Sequence, residues 1–128
     1  MTSYVVDSCA WIALLDGTAT GARVEKLLEA SEESWTPTPV LAEVISKAVR
    51  RGKDSAVAWE AIRAWSLVAP LDAETARAAG GLHATYRARV RDFALTDAVV
   101  LAFARKLSAR ILTGDPHFRG MKGVEFLA

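Results

Sequence analysis

Short β-prone segments alternate with segments of helical periodicity along the chain, and this alternation constrains the fold more than any other feature of the sequence. The β-prone segments are Tyr4–Val6, Trp35–Thr36, Leu67–Ala69, Arg110–Thr113 and Val124–Phe126. Parallel strands must be joined by crossovers, which are usually helices. The alternation therefore predicts an α/β fold with a short, mainly parallel sheet flanked by helices. At 128 residues, the chain is expected to form a single domain, residues 1–128.

The spacing of apolar residues predicts six helices between these strands. They are Cys9 to Leu15, Thr20 to Ala30, Pro39 to about Arg51, Asp54 to Trp65, Asp72 to Arg91, and Asp97 to about Leu107. Thr38 is expected to cap the third helix, with Pro39 at its first position, and Thr96 to cap the sixth. Gly80 and Gly81 weaken the helical pattern in the middle of the fifth.

Composition excludes several classes of protein. The longest apolar runs, Cys9 to Leu15 and Ala98 to Ala104, are far shorter than the roughly 20 residues that cross a bilayer, so no membrane helix is expected. The first residues carry no basic region before an apolar stretch, so no secretory signal is expected. The single cysteine, Cys9, cannot form an internal disulfide and fits a reducing cytoplasm, where we expect the protein to reside.

The net charge of +1 gives no overall attraction to nucleic acid. Cations are nevertheless grouped, and the two groups are Lys47, Arg50, Arg51 and Lys53, and Arg87, Arg89 and Arg91. Such groups can hold the phosphates of a nucleic acid locally, and Lys47, Arg50, Arg87 and Arg91 are the candidate phosphate contacts. The alternative is that both groups are solvated helix ends, where cations complement the helix dipole.

Four acidic residues fall where a predicted strand ends or a predicted helix begins: Asp7, Glu43, Asp97 and Asp115. Taken singly, each has a structural explanation. The three aspartates suit helix N-termini, and Glu43 suits an exposed pair with Lys47 four residues later. Taken together they share one location, because strand C-termini and the following helix N-termini lie on the same edge of a parallel sheet.

Carboxylates gathered at one edge repel one another unless cations lie between them, so a site for Mg²⁺ or Mn²⁺ is expected there. Two such ions about 4 Å apart can activate water and stabilise the leaving oxygen during phosphodiester hydrolysis. The hydroxyls of Ser8 and Thr113 are expected to orient the carboxylates or bound water. The basic groups would hold the phosphates of the nucleic acid alongside.

Four motifs in this chain resemble those of the PIN-domain nucleases, especially the toxin ribonucleases of the VapC type. They are Val5-Val6-Asp7-Ser8-Cys9-Ala10-Trp11-Ile12, Leu41-Ala42-Glu43-Val44, Leu95-Thr96-Asp97-Ala98-Val99-Val100, and Leu112-Thr113-Gly114-Asp115-Pro116-His117-Phe118. The resemblance runs from Tyr4 to about Leu127. No single motif is decisive, but four in this order at compatible spacings are specific.

The resemblance implies a Rossmann-like sheet and Mg²⁺- or Mn²⁺-dependent cleavage of RNA, with Asp7, Glu43, Asp97 and Asp115 as metal-binding and catalytic residues. For a toxin it also implies a homodimer and a VapB-like antitoxin that covers the acidic cleft. Cys9 departs from the Ser or Asn of many relatives. PIN domains also act in RNA processing outside toxin pairs, and this role is the alternative.

Other functions account for fewer of these residues. A phosphoacceptor receiver domain would use Asp7 and Asp72. The first strand of this chain lacks the paired acids of such domains, however, and Glu43, Asp97 and Asp115 would have no role. A thiol hydrolase built from Cys9 and His117 has no third orienting group, so Cys9 is predicted to be a buried small residue and His117 a turn residue. A non-catalytic binding domain is the remaining alternative.

Overall fold

The computed structural model describes residues 1–127, which form a five-stranded parallel sheet flanked by six α-helices. The strands are β1 (Tyr4–Val6), β2 (Ser34–Pro37), β3 (Leu67–Ala69), β4 (Arg110–Thr113) and β5 (Val124–Phe126). The helices are α1 (Ser8–Asp16), α2 (Ala19–Glu29), α3 (Thr38–Arg50), α4 (Ser55–Trp65), α5 (Ala73–Tyr86) and α6 (Leu95–Leu107), and a short 3₁₀ helix follows at Pro116–Phe118. The predicted fold class is confirmed.

The strand order, β3-β2-β1-β4-β5, places β1 at the centre of the sheet. The chain moves outward from β1 through β2 to β3 and then returns to the other side of β1 as β4. Val6 pairs with Leu112 in the β1–β4 ladder, so the two strands end beside each other. Such a reversal opens a crevice at the carboxyl ends of the strands, where ligands bind in open α/β sheets.

The central strands are buried because helices cover both faces of the sheet. Val5, Val6 and Leu112 have no exposed surface, which fits the continuous apolar character of strands in parallel sheets. Every residue of α6 from Asp97 to Ala104 is also buried. An acidic residue at the start of so apolar a segment is costly unless it is hydrogen-bonded or has a function.

Trp11 fixes α1 against the sheet. Its indole is fully buried, and Nε1 donates a 3.1 Å hydrogen bond to the hydroxyl of Thr36 on β2. Thr36 in turn lies 2.7 Å from the hydroxyl of Ser66, just before β3. This chain of bonds holds the N-terminus of α1 at the end of β1.

Three predicted helix boundaries are wrong. The sixth helix begins at Leu95 with Ala94 as its N-cap, so Thr96 lies inside it and does not cap it. Thr38 is likewise inside α3, and its hydroxyl accepts a hydrogen bond from the backbone N–H of Leu71. Helix α5 continues through both central glycines but ends at Tyr86, and residues 87–92 form turns.

Among residues 1–127, the structure has no helix long and apolar enough to cross a membrane.

Gly21 marks the closest approach between two helices. A Cβ at this position would overlap the carbonyl oxygen of Ala13 in α1, and would lie 2.9 Å from the Cα of Leu14. Both atoms belong to the backbone and cannot move aside as a side chain would. The tight packing of α2 on α1 therefore requires a glycine.

We expect Gly21→Ala to lower the free energy of unfolding by about 1–3 kcal/mol, because helix α1 must shift to admit the methyl group. Gly80→Ala is the matched control, since Gly80 is exposed inside α5 and has open space around its Cα. There the same change should raise stability by about 0.5–1 kcal/mol, through helix propensity alone. Urea unfolding measures the free energy of unfolding of both variants. If Gly21→Ala and Gly80→Ala change it equally, the close contact between α1 and α2 is contradicted.

Candidate active site

Asp7 stands at the end of β1 and caps α1. One carboxylate oxygen accepts a 2.8 Å hydrogen bond from the backbone N–H of Ser8, and the other accepts a 2.9 Å bond from the hydroxyl of Thr113. Only 3% of the residue is exposed. The carboxylate is therefore fixed by two donors, and the positive end of the α1 dipole favours its charge.

Thr113 links Asp7 to the end of β4. Besides donating to Asp7, its hydroxyl accepts a 3.0 Å hydrogen bond from the backbone N–H of Asp115. The thiol of Cys9 lies 3.2 Å from the same hydroxyl and accepts a 3.1 Å bond from the N–H of Gly114. Cys9 and Thr113 thus tie the start of α1 to the turn that carries Asp115.

Asp97 lies in the first turn of α6. One of its carboxylate oxygens accepts a 2.9 Å hydrogen bond from the N–H of Ala94, which satisfies one of the free donors at the start of the helix. The same oxygen lies 2.8 Å from Nδ1 of His117. Asp97 is 7% exposed, so its carboxylate faces a narrow opening.

His117 joins Asp97 to Asp115. Asp115 caps the 3₁₀ helix by accepting a 2.9 Å bond from the N–H of His117, and its carboxylate lies 3.3 Å from Nδ1 of the same residue. One ligand atom from each of Asp97, Asp115 and His117 falls within 4.8 Å of the other two. The backbone of His117 does lie in a turn, as predicted, but its ring belongs to the acidic cluster.

Sequence reasoning missed this contact. The available signal was the Asp-Pro-His sequence, since an Asp side chain commonly accepts a hydrogen bond from the backbone N–H two residues later and so draws that residue toward it.

Glu43 approaches the cluster from α3 and is the most exposed of the four acids. Burial raises the pKa of its carboxyl group, and so do the charges of Asp97 and Asp115, while the hydroxyls of Ser8 and Thr96 lower it. The hydroxyl of Ser8 thus favours the charged form of Glu43, whereas its backbone N–H donates a hydrogen bond to Asp7. The structure brings all four predicted acids to one edge of the sheet, with Glu43 at its solvent side.

Burial and mutual repulsion disfavour ionisation in this cluster. Burial raises the pKa of Asp7 to about 6, and the charges of Asp97 and Asp115 act in the same direction against the bonds from Ser8 and Thr113. The pKa of Asp97 is also raised, mainly by burial. A bound cation would relieve this cost, because it favours the charged form of each carboxyl group.

The imidazole of His117 offsets part of this negative charge. Burial lowers the pKa of His117, but the hydrogen bond to Asp97 and the charges of Asp115 and Asp97 outweigh it and raise the pKa overall. A protonated imidazole between two carboxylates screens their repulsion.

The first basic group divides in two. Lys47 and Arg50 follow Glu43 along α3 and line a cavity of about 440 Å³ together with Ser8 and Cys9. Arg51 and Lys53 lie instead 3.2 and 2.7 Å from the carboxylate of Asp16, at the end of α1. Only the first pair opens toward the acids.

The second basic group lies in the turns after α5, outside any helix. Arg87 and Arg91 are exposed, with Arg91 3.9 Å from the carboxylate of Asp92, and Arg89 lies 4.8 Å from the centre of the Tyr86 ring. Phe93, which follows this segment, contacts the site: its ring packs edge-on against the ring of His117, with the ring centres 6.5 Å apart. Among residues 1–127, no ion pair joins these arginines to the four acids.

Residues 4–124 match the family model of the PIN domain. The chain belongs to the PIN domain family. The predicted resemblance is thus confirmed, and the four acids stand on the edge of a PIN fold. No curated protein matches the sequence at a significant level.

Solved structures share this PIN fold. A toxin–antitoxin complex from Klebsiella pneumoniae matches with a TM-score of 0.77 at 19% identity, covering 98% of both chains. The sarcin-ricin loop cleaving toxin VapC20 of Mycobacterium tuberculosis matches with a TM-score of 0.73 at 25% identity, over 95% of this chain and 97% of that one. A DNA-bound VapBC complex from Salmonella typhimurium gives 0.74 at 16% identity over the full length of both.

Replacing the buried carboxylate of Asp7 should stabilise the metal-free protein. The pKa of Asp7 rises from an ordinary value of about 4 to about 6 in the folded state. Below pH 4 both states hold the proton and the folded state suffers no penalty; above pH 6 both are charged and the penalty is complete.

We therefore expect Asp7→Asn to raise the free energy of unfolding in chelator by about 1–2 kcal/mol at pH 7.5, less than the roughly 3 kcal/mol of a two-unit shift, because Asn replaces one acceptor with a donor. The gain should vanish near pH 4. Asp54→Asn, at the exposed N-cap of α4, is the control and should change stability by less than about 0.5 kcal/mol. A loss of stability at pH 7.5 in Asp7→Asn would contradict the raised pKa.

Proposed function

We propose that this protein is a metal-dependent endoribonuclease of the VapC type, in which Asp7, Glu43, Asp97 and Asp115 bind Mg²⁺ or Mn²⁺ and carry the catalysis. The observation that supports this most strongly is the convergence of the four acids at the β1–β4 crevice of a PIN fold, at a cost in ionisation that only a function explains. We also propose that residues 1–128 act as one PIN-like unit.

The chemistry of the donors fits a hard divalent cation. The four acids present carboxylate oxygens, the ligands that Mg²⁺ and Mn²⁺ prefer. The Nδ1 of His117 could add a nitrogen ligand only after the imidazole loses its proton to make way for the metal. Asp7, Asp97 and Asp115 would hold the ion directly, with Glu43 closing the solvent side. When bound, the ion supplies an activated water and stabilises the leaving oxygen of the phosphodiester.

The chain itself prepares the site. The N–H of Ser8 and the hydroxyl of Thr113 fix the carboxylate of Asp7, so little rotational freedom is lost when a ligand binds. His117 holds Asp97 and Asp115 at a set separation. Lys47 and Arg50 line the same cavity as Glu43, and Arg87 and Arg91 lie in exposed turns between α5 and α6. These four cations would bind the phosphates of the RNA.

The toxin role rests on the structural neighbours, several of which are toxins or toxin–antitoxin complexes. We propose a VapB-like antitoxin as the partner that covers the cleft, and a homodimer as the assembly. A PIN-type nuclease of RNA processing is the alternative, which an adjacent antitoxin gene would exclude. The cytoplasmic location inferred from the single cysteine remains a prediction.

A receiver domain is not supported. Receiver domains share the flavodoxin-like strand order 2-1-3-4-5, whereas this sheet has the order 3-2-1-4-5. Asp72 caps α5 and pairs with Lys106 at 2.8 Å, so it does not join Asp7.

Purified protein should cleave RNA with Mg²⁺ or Mn²⁺ and lose this activity in chelator. We expect Asp97→Asn to lower the cleavage rate by about 100-fold or more, because a ligand charge is lost while the hydrogen bond from Ala94 can persist. Asp54→Asn, the same change at an exposed helix cap, should cleave like the parent. Equal rates for parent and Asp97→Asn, after removal of contaminating nuclease, would rule out the assigned site.

The binding of RNA phosphates can be tested apart from cleavage. In chelator, Lys47→Ala or Arg50→Ala should weaken RNA binding and reduce the slope of log affinity against log salt by about 0.7 each. Lys53→Ala removes a cation from the same helix end, but one already paired with Asp16, and should leave the slope unchanged. If all three variants have the same slope as the parent protein, Lys47 and Arg50 do not bind RNA phosphates and are only solvated.

A further inference from the structure

A second cavity, of about 530 Å³, lies at the C-terminal half of α6, whereas Asp97 lies in the first turn of that helix. Its walls come from α6, from the turn after α5 and from the loop that connects the 3₁₀ helix to β5. The proposed nuclease site does not use it. Its size is in the range of pockets that bind small ligands, about 300–1,000 Å³.

Three cations surround the cavity: Arg89, Arg105 and Lys122. Within residues 1–127, none of them forms an ion pair with an aspartate or glutamate, and no acidic residue lines the cavity. Arg105 donates a 3.0 Å hydrogen bond to the hydroxyl of Tyr86, and Arg89 lies against the face of that ring. The two guanidinium groups are thus held in place while their charge remains uncompensated, which favours an anionic ligand.

The floor of the cavity is apolar. Leu101 and Ala104 from α6 and Ile111 from β4 are buried beneath it, and Met121 from the loop forms one side. A ligand that fits both parts carries a phosphate at one end and a flat apolar group at the other. A nucleotide has this form, since its base can pack on an apolar surface while arginine and lysine hold its phosphate.

A chain of packed aromatic side chains connects the wall of the cavity with the acidic cluster. Tyr86 stacks on Phe93 with ring centres 5.5 Å apart, and Phe93 meets the rings of His117 and Phe118 edge-on at 6.5 and 6.0 Å. The loop that lines the cavity begins directly after the 3₁₀ helix that carries His117. Along α6, Asp97 and Arg105 are separated by roughly 12 Å at about 1.5 Å per residue, a distance that a few nucleotides of an RNA strand can span.

We propose that this cavity binds one nucleotide of an RNA substrate, outside the bond that is cleaved, with its phosphate on Arg89, Arg105 and Lys122 and its base on the apolar floor. The inference rests on the proposed nuclease function and extends it to a subsite. An acidic peptide of a protein partner would meet the same cations, but it would leave the apolar floor without a use.

The test uses the full chain in chelator, so that RNA is bound and not cut. The double variant Arg89→Ala/Lys122→Ala should bind an eight-nucleotide RNA about tenfold more weakly, with the slope of log affinity against log salt reduced by about 1.4. The matched control, Lys26→Ala/Arg63→Ala, removes two exposed cations from α2 and α4, one of which also lies over an aromatic ring. It should bind like the parent.

Nuclear magnetic resonance distinguishes the ligand. Adenosine 5′-monophosphate should shift the signals of Leu101, Ile111 and Met121 in the parent but not in the double variant, and inorganic phosphate should shift them less. Equal RNA affinity in the two double variants, or an acidic peptide that shifts these signals while the nucleotide does not, would overturn the proposal. Absence of RNA cleavage by the parent would contradict the nuclease function alone, because these binding measurements do not depend on cleavage.

Discussion

The parallel pairing of β1 with β4 is the constraint on which the site depends. It sets the ends of the two strands side by side, so that the hydroxyl of Thr113 can donate to Asp7 and accept from the backbone of Asp115. The helices that follow these strands bring positive dipole ends to the same place. Two carboxylates from opposite ends of the chain are thereby held close to each other, and α6 adds a third.

Holding carboxylates close together in a buried place lowers the stability of the folded protein. Asp7 is almost completely buried, and its pKa is raised to about 6 because water is excluded and other carboxylates are near. Hydrogen bonds from Ser8 and Thr113, and the imidazole of His117, reduce the penalty but do not remove it. Residues selected for stability alone would be apolar or neutral here, and such conflicts are typical of functional sites.

The sequence predicts the strands more accurately than it predicts the helix ends or the complete set of residues at the site. Strands β1, β3, β4 and β5 have the predicted bounds, since their apolar runs are flanked by clear turn residues. The hydroxyl of Thr96 predicts an N-cap, but the helix begins at Leu95 and its N-cap is Ala94. His117 was missed because the direction of its ring depends on a 3₁₀ turn and on packing against Phe93. Arg51 and Lys53 were grouped with Lys47 because their partner, Asp16, is remote in sequence.

A crystal soaked in Mn²⁺ and measured at the manganese absorption edge tests the central claim most directly. We expect an anomalous peak at the β1–β4 crevice, about 2 Å from carboxylate oxygens of Asp7, Asp97 or Asp115, and its loss in Asp97→Asn crystals. No peak at this edge of the sheet at saturating Mn²⁺, or a peak that remains unchanged in Asp97→Asn, would contradict the assignment of the four acids as a metal site.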